Sequence, residues 1–262
     1  MKLRQLKYEF IHTPLQGPLM WLRDLRHVFH RMRWPEQGPV LDEPRYTSRL
    51  LRGLIQSDWN CVDIGCHYGS VLAELCRYAP QGRHIAFEAI PEKVKFLRRK
   101  FPGVDIRELA LCERSGETTF HINTRSSGFS GLHAHGGNPT EAIQVRCSTL
   151  GLELAKAAAV QFVKLDVEGA ELDVLKGGHE FFSKHQPFLL FECTASGCEC
   201  FGRTVTDVYD FLTEELHYCV FFIRGWLDKA EPLSRDAFAE ACVYPFKAFN
   251  WFGVPQSRLT RG

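Results

Sequence analysis

The chain has 262 residues, of which 45% are apolar and 24% charged. Those proportions exclude disorder as the main state and suit a chain long enough to bury its core without disulfides or structural metals. Lysine and arginine number 32 against 31 acids, a net charge of +1, which excludes a global polyanion-binding charge and leaves only local basic patches.

Residues 1–34 carry a net charge of +5 from Lys2, Arg4, Lys7, Arg23, Arg26, Arg31 and Arg33 against Glu9 and Asp24. Apolar residues recur there at Met20, Trp21, Leu22, Leu25, Val28 and Phe29, which predicts a basic amphipathic helix. Such a helix either packs on the main domain with its charged face in solvent, or offers a surface to an acidic partner, a phosphorylated substrate or a membrane periphery. No run of about 18 apolar residues predicts a transmembrane helix, and the first residues lack the apolar centre of a secretory leader. Ten cysteines without CxxC spacing read as reduced thiols of a cytoplasmic protein. Pro35, Gly38, Pro39 and Pro44 predict a break before a helix over 46–56. The reading therefore divides the chain into a helical extension, 1–58, and a main domain, 59–262.

From residue 60 strands and helices alternate. Strands are expected at 60–64, 83–87, 104–111, 160–165, 188–191, 218–223 and 248–252. Helices are expected at 70–78, 92–101, 171–175 and 204–216, with Pro91 opening the second, where its missing N–H costs nothing. This rhythm predicts an α/β fold with a mostly parallel sheet covered on both faces. Residues 112–159 depart from it, with two expected strands, 118–123 and 143–147, around a polar, glycine-rich loop.

The first chemical candidate is Val62-Asp63-Ile64-Gly65-Cys66-His67-Tyr68-Gly69, between the first strand and its helix. Glycines let backbone approach a ligand closely, and ligands of open α/β sheets sit outside the carboxyl ends of the strands. Glu88 follows Gly69 by 19 residues, at the end of the second strand, where a carboxylate can accept both ribose hydroxyls of a nucleoside. The dinucleotide pattern GxGxxG is missing. Asp63 instead suits a cationic ligand, which favours S-adenosylmethionine over NAD.

The second candidate is Phe162-Val163-Lys164-Leu165-Asp166-Val167-Glu168-Gly169-Ala170-Glu171, running on to Leu175-Lys176-Gly177-Gly178. Three carboxylates and a lysine stand there at the end of an apolar strand. Burial and mutual repulsion raise a carboxylate's pKa and make it a proton acceptor. For Glu171 a helix-start role, favoured by the dipole, competes with this one.

In order, VDIGCHYG, FEAIPE, ELAL, FVKLDVEGAELDVLKGG and PFLLFE resemble the FkbM family of S-adenosylmethionine-dependent methyltransferases over about residues 60–192. The resemblance implies a class I, Rossmann-like fold with a seven-stranded sheet whose last strand runs antiparallel. It implies methylation of a hydroxyl on a sugar, glycolipid or related small acceptor. By the same resemblance Asp63, Gly65 and Gly69 belong to the cofactor loop, with His67 and Tyr68 beside the methionine part. Glu88 is the ribose acid, and Ala89, Ile90 and Ala110 flank the adenine. Asp166 and Glu168 face the methyl group and the acceptor.

A hydroxyl is a poor nucleophile, so a base should assist it. Asp166 is the first candidate and Glu168 the second, and either can instead orient the acceptor. The loop 126–137 reads as a lid, with Ser127, Ser130, His133 and His135 as its site neighbours. Asp166 and Glu192 are oxygen ligands of the kind Mg²⁺ takes, but no metal site is assigned. Cys193, Cys198 and Cys200 lack zinc spacing and a fourth ligand. Nucleic acid is not expected as a partner, because the main domain is near neutral. The competing functions are an RNA methyltransferase and a non-catalytic binding or regulatory protein on the same fold. The sequence leaves the oligomeric state open.

Overall fold

A computed structural model describes residue 33 and residues 37–123, 130–133 and 139–259. The expected N-terminal amphipathic helix, Ser127 and His135 lie outside the described residues.

Among the described residues, helix α1 (Gly38–Leu54) precedes an alternation of strands and helices. Strand β1 (Cys61–Ile64), α2 (Ser70–Tyr78), β2 (Ile85–Glu88), α3 (Pro91–Lys100) and β3 (Asp105–Glu108) form the first half. Next come β4 (Ala110–Leu111), β5 (Gly116–Asn123), β6 (Thr140–Ser148) and the single turn α4 (Leu150–Glu153). The second half holds β7 (Phe162–Leu165), α5 (Glu171–Gly177), α6 (His179–His185), β8 (Phe188–Glu192), α7 (Ala195–Cys200) and α8 (Val205–Asp210). It ends with β9 (Tyr218–Phe222), α9 (Ile223–Leu227), α10 (Arg235–Ala241) and β10 (Asn250–Pro255).

Seven strands form one sheet in the order β3-β2-β1-β7-β8-β10-β9. All neighbours run parallel except β10, which is antiparallel to β8 and β9. Parallel strands buried on both faces read as continuous apolar runs, as Phe-Leu-Leu-Phe does, while Phe-Val-Lys-Leu is interrupted by the one charge of Lys164. Alternate side chains supply opposite faces. Val163, Leu165, Leu189 and Phe191 join one core with α5, α6, α8 and α10, whereas Phe162, Phe188 and Leu190 join another with α1 and α2.

Several elements differ from expectation. The first helix begins at Gly38 rather than 46, and Pro44 lies inside it. Pro39 sits in the first turn, where no N–H is needed, so it starts the helix instead of breaking the chain. The expected strand 104–111 divides at Leu109. Its first part pairs with β2, and its second leaves for a small sheet of order β4-β6-β5. The helix expected over 204–216 is α8, opened by a Thr204–Asp207 capping box, followed by a wider π turn at Phe211–Glu215. Helices α4, α6, α7, α9 and α10 were not anticipated, being one or two turns long. All ten cysteines are free. No helix among the described residues is long and apolar enough to cross a membrane.

Glu43 fastens α1 to the sheet. Its buried carboxylate accepts hydrogen bonds from Asn250 Nδ2 at 2.8 Å and from the Phe249 and Asn250 backbone amides at 2.6 and 3.2 Å. Replacing it leaves those donors unsatisfied, at about 1–3 kcal/mol. Glu43→Ala should lower the urea midpoint accordingly and speed hydrogen exchange at the amides of Phe249 and Asn250.

Candidate active site

The chain turns sharply after β1. Gly65 has φ +70°, and a Cβ there would collide with the Asp166 carbonyl oxygen, so only glycine lets the turn lie against β7. The amides of Gly65 and Cys66 both donate to the Phe87 carbonyl, at 3.0 and 3.1 Å, which ties the turn to β2. Glu88 completes the binding of loop to loop. Its Oε2 accepts from the His67 amide at 2.9 Å and its Oε1 from the Ile90 amide at 3.0 Å, with Lys93 Nζ 4.0 Å away.

These turns enclose a cavity of about 330 Å³ at the carboxyl ends of β1, β2 and β7. Asp63, Gly65, His67, Glu88, Ala89, Ala110, Asp166, Glu168 and Ser130 line it. Tyr68, Gly69 and Ile90 do not. The Tyr68 ring packs edge-on against Phe96, with centroids 5.3 Å apart. Gly69, at φ +77°, caps α2. Ile90 joins an apolar cluster with Phe120 and Val145, and contributes to the site through its amide. His133 lies outside the cavity, edge-on to Phe201 with centroids 4.4 Å apart.

Asp63 and Lys164 are register partners on β1 and β7. Lys164 Nζ lies 3.5 Å from Asp63 Oδ1 and 3.1 Å from Asp166 Oδ2, and donates to the Gly65 carbonyl at 2.7 Å. Burial works against its charge, but Asp166 and then Asp63 more than offset that, so its pKa is raised and it stays an ammonium. Asp63 is 1% exposed, and neither of its oxygens has a hydrogen-bond partner among the described residues. Burial pushes its pKa up to about 6, with Lys164 opposing.

Three glutamates near the end of β7 are shifted toward their protonated forms. Burial, then Asp166 and Glu171, push Glu168 up to about 9, and its backbone is left-handed at φ +58°. Burial likewise raises Glu192, helped by Asp166, to which it is hydrogen-bonded. Glu171 is pushed up to about 7 by burial, against the backbone amides that it accepts. Those amides belong to Val167 at 2.9 Å and Gly169 at 3.0 Å, so Glu171 shapes the loop that presents Asp166 and Glu168. One oxygen each of Asp166, Glu168 and Glu192 falls within 4.8 Å of the others. Like charges so close share protons rather than all ionise.

Two cavity lysines received no role from the sequence. Lys164 was visible only as part of the acidic run. Lys93 was missed, although it stands four residues before Leu97 and so on the buried face of α3. Burial lowers its pKa and Glu88 opposes the shift.

A seven-stranded sheet with one reversed strand, a glycine turn after β1 and an acid closing β2 defines a class I S-adenosylmethionine-dependent methyltransferase. The cavity fits that cofactor, since the Asp63 carboxylate, ion-paired with Lys164 but without a hydrogen bond among the described residues, suits a cationic group and Glu88 suits ribose hydroxyls. The Methyltransferase FkbM domain matches residues 63–221, and the chain belongs to that family. It is similar to 2-O-methyltransferase NoeI of Sinorhizobium fredii, 26% identical over 147 residues, which are 47% of this chain and 58% of that protein. The match thus spans less than two thirds of the curated relative. Among solved structures, methyltransferase FkbM from Methylobacillus flagellatus superposes with a TM-score of 0.48 at 16% identity, over 80% of this chain and 47% of that one. A TehB-like S-adenosylmethionine-dependent methyltransferase from Corynebacterium glutamicum gives 0.43 at 9% identity, over 88% and 97%.

Between its ordinary 4.5 and about 9, Glu168 in the folded protein keeps a proton that the unfolded chain has released. Stability therefore falls as pH rises through that window. Glu168→Gln imitates the protonated acid and removes the penalty. Its melting temperature should match wild type near pH 4.5 and exceed it increasingly toward pH 9, by ~2–4 °C per kcal/mol relieved. A constant offset at all pH values would contradict the assignment.

Proposed function

We propose that this S-adenosylmethionine-dependent methyltransferase acts on a hydroxyl of a sugar, glycolipid or related small acceptor, with Asp166 as the base. The observation that carries this reading is the contrast among the carboxyls. Asp166, with a side chain 33% exposed, lines the cavity 3.1 Å from the Lys164 ammonium. Glu168 and Glu192 beside it keep their protons. The cavity thus offers Asp166 to accept a hydroxyl proton and Glu168 as a carboxylic acid that donates to a neighbouring oxygen, while Glu192 is hydrogen-bonded to Asp166. That pattern supports a polyhydroxylated acceptor, and the 2-O-methyl transfer in NoeI's name supports oxygen as the methylated atom.

The cofactor, when bound, supplies an electrophilic methyl group on a sulfonium. Asp63 would hold its cationic end, Glu88 its ribose, and Ala89 and Ala110 the apolar base. The chain's remaining work is to position the hydroxyl and take its proton at Asp166. Positioning of this kind is worth on the order of 7 kcal/mol or more, and a placed base about 10²–10⁴ in rate.

Asp166→Asn should keep S-adenosylhomocysteine affinity within about threefold and lose roughly 10²–10⁴ in turnover. Asp63→Asn should weaken cofactor binding at least tenfold in titration calorimetry. Unchanged turnover in Asp166→Asn removes it as the base, and absence of methyl transfer to any hydroxylated acceptor favours the non-catalytic or RNA-directed alternatives.

The 4.8 Å grouping of Asp166, Glu168 and Glu192 favours a second reading, in which a divalent cation replaces their protons. With Lys164 already supplying positive charge, the proton-sharing form is preferred. Turnover should therefore survive EDTA, and a loss restored by Mg²⁺ would establish the cation.

A further inference from the structure

Outside the cavity lies an open groove of about 640 Å³, between β5, α5 and the segment after α7. Its working surface is Thr118, Thr119, His133, Asp173, Phe201 and Arg203. The volume falls in the range of small-ligand sites, roughly 300–1,000 Å³. Leu132 lines both the groove and the cavity, so the two spaces share one wall.

That wall is anchored. Gly131 exchanges two backbone hydrogen bonds with His121 of β5, at 2.8 and 3.1 Å. The Ser130 hydroxyl accepts from the Asn123 amide at 3.0 Å. Beneath the wall is Glu168, whose Cβ would lie 3.4 Å from a methyl group placed on Gly131. A ligand lying in the groove and bending over Leu132 arrives at Glu168 and Asp166.

The chemistry of the groove is specific about its ligand. Arg203 Nη2 donates to Asp173, so the principal charges are paired. Arg203 Nη1 is buried without an acceptor among the described residues and is closed to the groove. Phe201 supplies an aromatic surface, with the Arg203 guanidinium 5.9 Å from its centroid. The Thr118 hydroxyl can donate and accept, while that of Thr119, on the opposite face of β5, accepts from Gln144 Nε2 at 3.0 Å. Glu113 and Glu117 flank Arg114 on the rim, which disfavours a polyanion. An uncharged ligand with an apolar C–H face and many hydroxyls meets Phe201 and Thr118.

We propose that this groove binds the acceptor glycan, holding the sugar units next to the one methylated while that unit crosses Leu132 into the cavity. The proposal rests on the sugar O-methyl transfer argued above, and it adds the surface that selects the acceptor.

The test uses the full chain saturated with S-adenosylhomocysteine and titrated with maltotetraose and with chitotetraose. The same sugars are then offered with radiolabelled S-adenosylmethionine. Wild type should bind at least one tetrasaccharide. Phe201→Ala, which removes the aromatic surface, and Thr118→Trp, which fills the groove, should each weaken that binding tenfold or more. Cofactor affinity and melting temperature should stay near wild type in at least one of the two. Tetrasaccharide binding that both variants preserve overturns the groove, as does binding of neither sugar. Binding lost in the variants without methyl transfer in wild type sinks the O-methyl reading and leaves the groove standing. Tight binding of a single-stranded RNA 20-mer that Phe201→Ala abolishes would overturn the glycan assignment in favour of nucleic acid.

Discussion

A buried ammonium, Lys164 Nζ, stands 3.5 Å from Asp63 and 3.1 Å from Asp166 at the carboxyl ends of adjacent parallel strands. Its environment permits no partial arrangement. Removing one member of a buried ion pair typically costs about 3–5 kcal/mol, because the survivor is left uncompensated. Lys164 also donates to the Gly65 carbonyl, so the same charge fixes the glycine turn. Strand register, turn shape and the placing of Asp166 therefore depend on one another. Packing alone would tolerate an apolar residue at 164, as at Phe162. The charge is retained where the two strands meet the cavity.

Around that centre the cavity sorts its carboxyls by environment. Asp63 is buried with a cation beside it but without hydrogen bonds, which suits it to a positively charged ligand group. Glu88 is buried too, yet its two oxygens accept the amides of His67 and Ile90, which stabilise it and hold two loops together. Glu168 and Glu192 crowd Asp166 and retain their protons. Asp63, Glu88 and Glu168, acids of similar intrinsic strength, thus offer a cation seat, a loop clamp and a proton donor, and the difference lies in which neighbours each one meets.

Much of the framework was legible in the chain itself. The helix at Ser70–Tyr78 and the runs around Cys61–Ile64 and Phe162–Leu165 follow from local apolar pattern and from glycine, proline and acid punctuation. The same punctuation misled at Pro39, since a proline in a first turn and a proline breaking a helix look alike without the packing partner, and at Pro44, which lies inside α1. The run 104–111 read as one strand because nothing local marks the point where it exchanges β2 for β6. Tyr68 sits on the cofactor loop in sequence, but the turn directs its ring into the core against Phe96.

The sequence by itself determined the alternation of strands and helices, the glycine turn after β1, and the acids that end β1, β2 and β7. These are local properties, decided within a few residues by backbone freedom and apolar period. Tertiary structure decided the rest. Asp63 meets Lys164 across 101 residues of chain, and Glu43 meets Asn250 across 207. Protonation of Glu168, burial of Lys93 and the wall shared at Leu132 arise only when distant segments exclude water from one another. Desolvation and through-space charge set those properties, and neither is written in the order of residues.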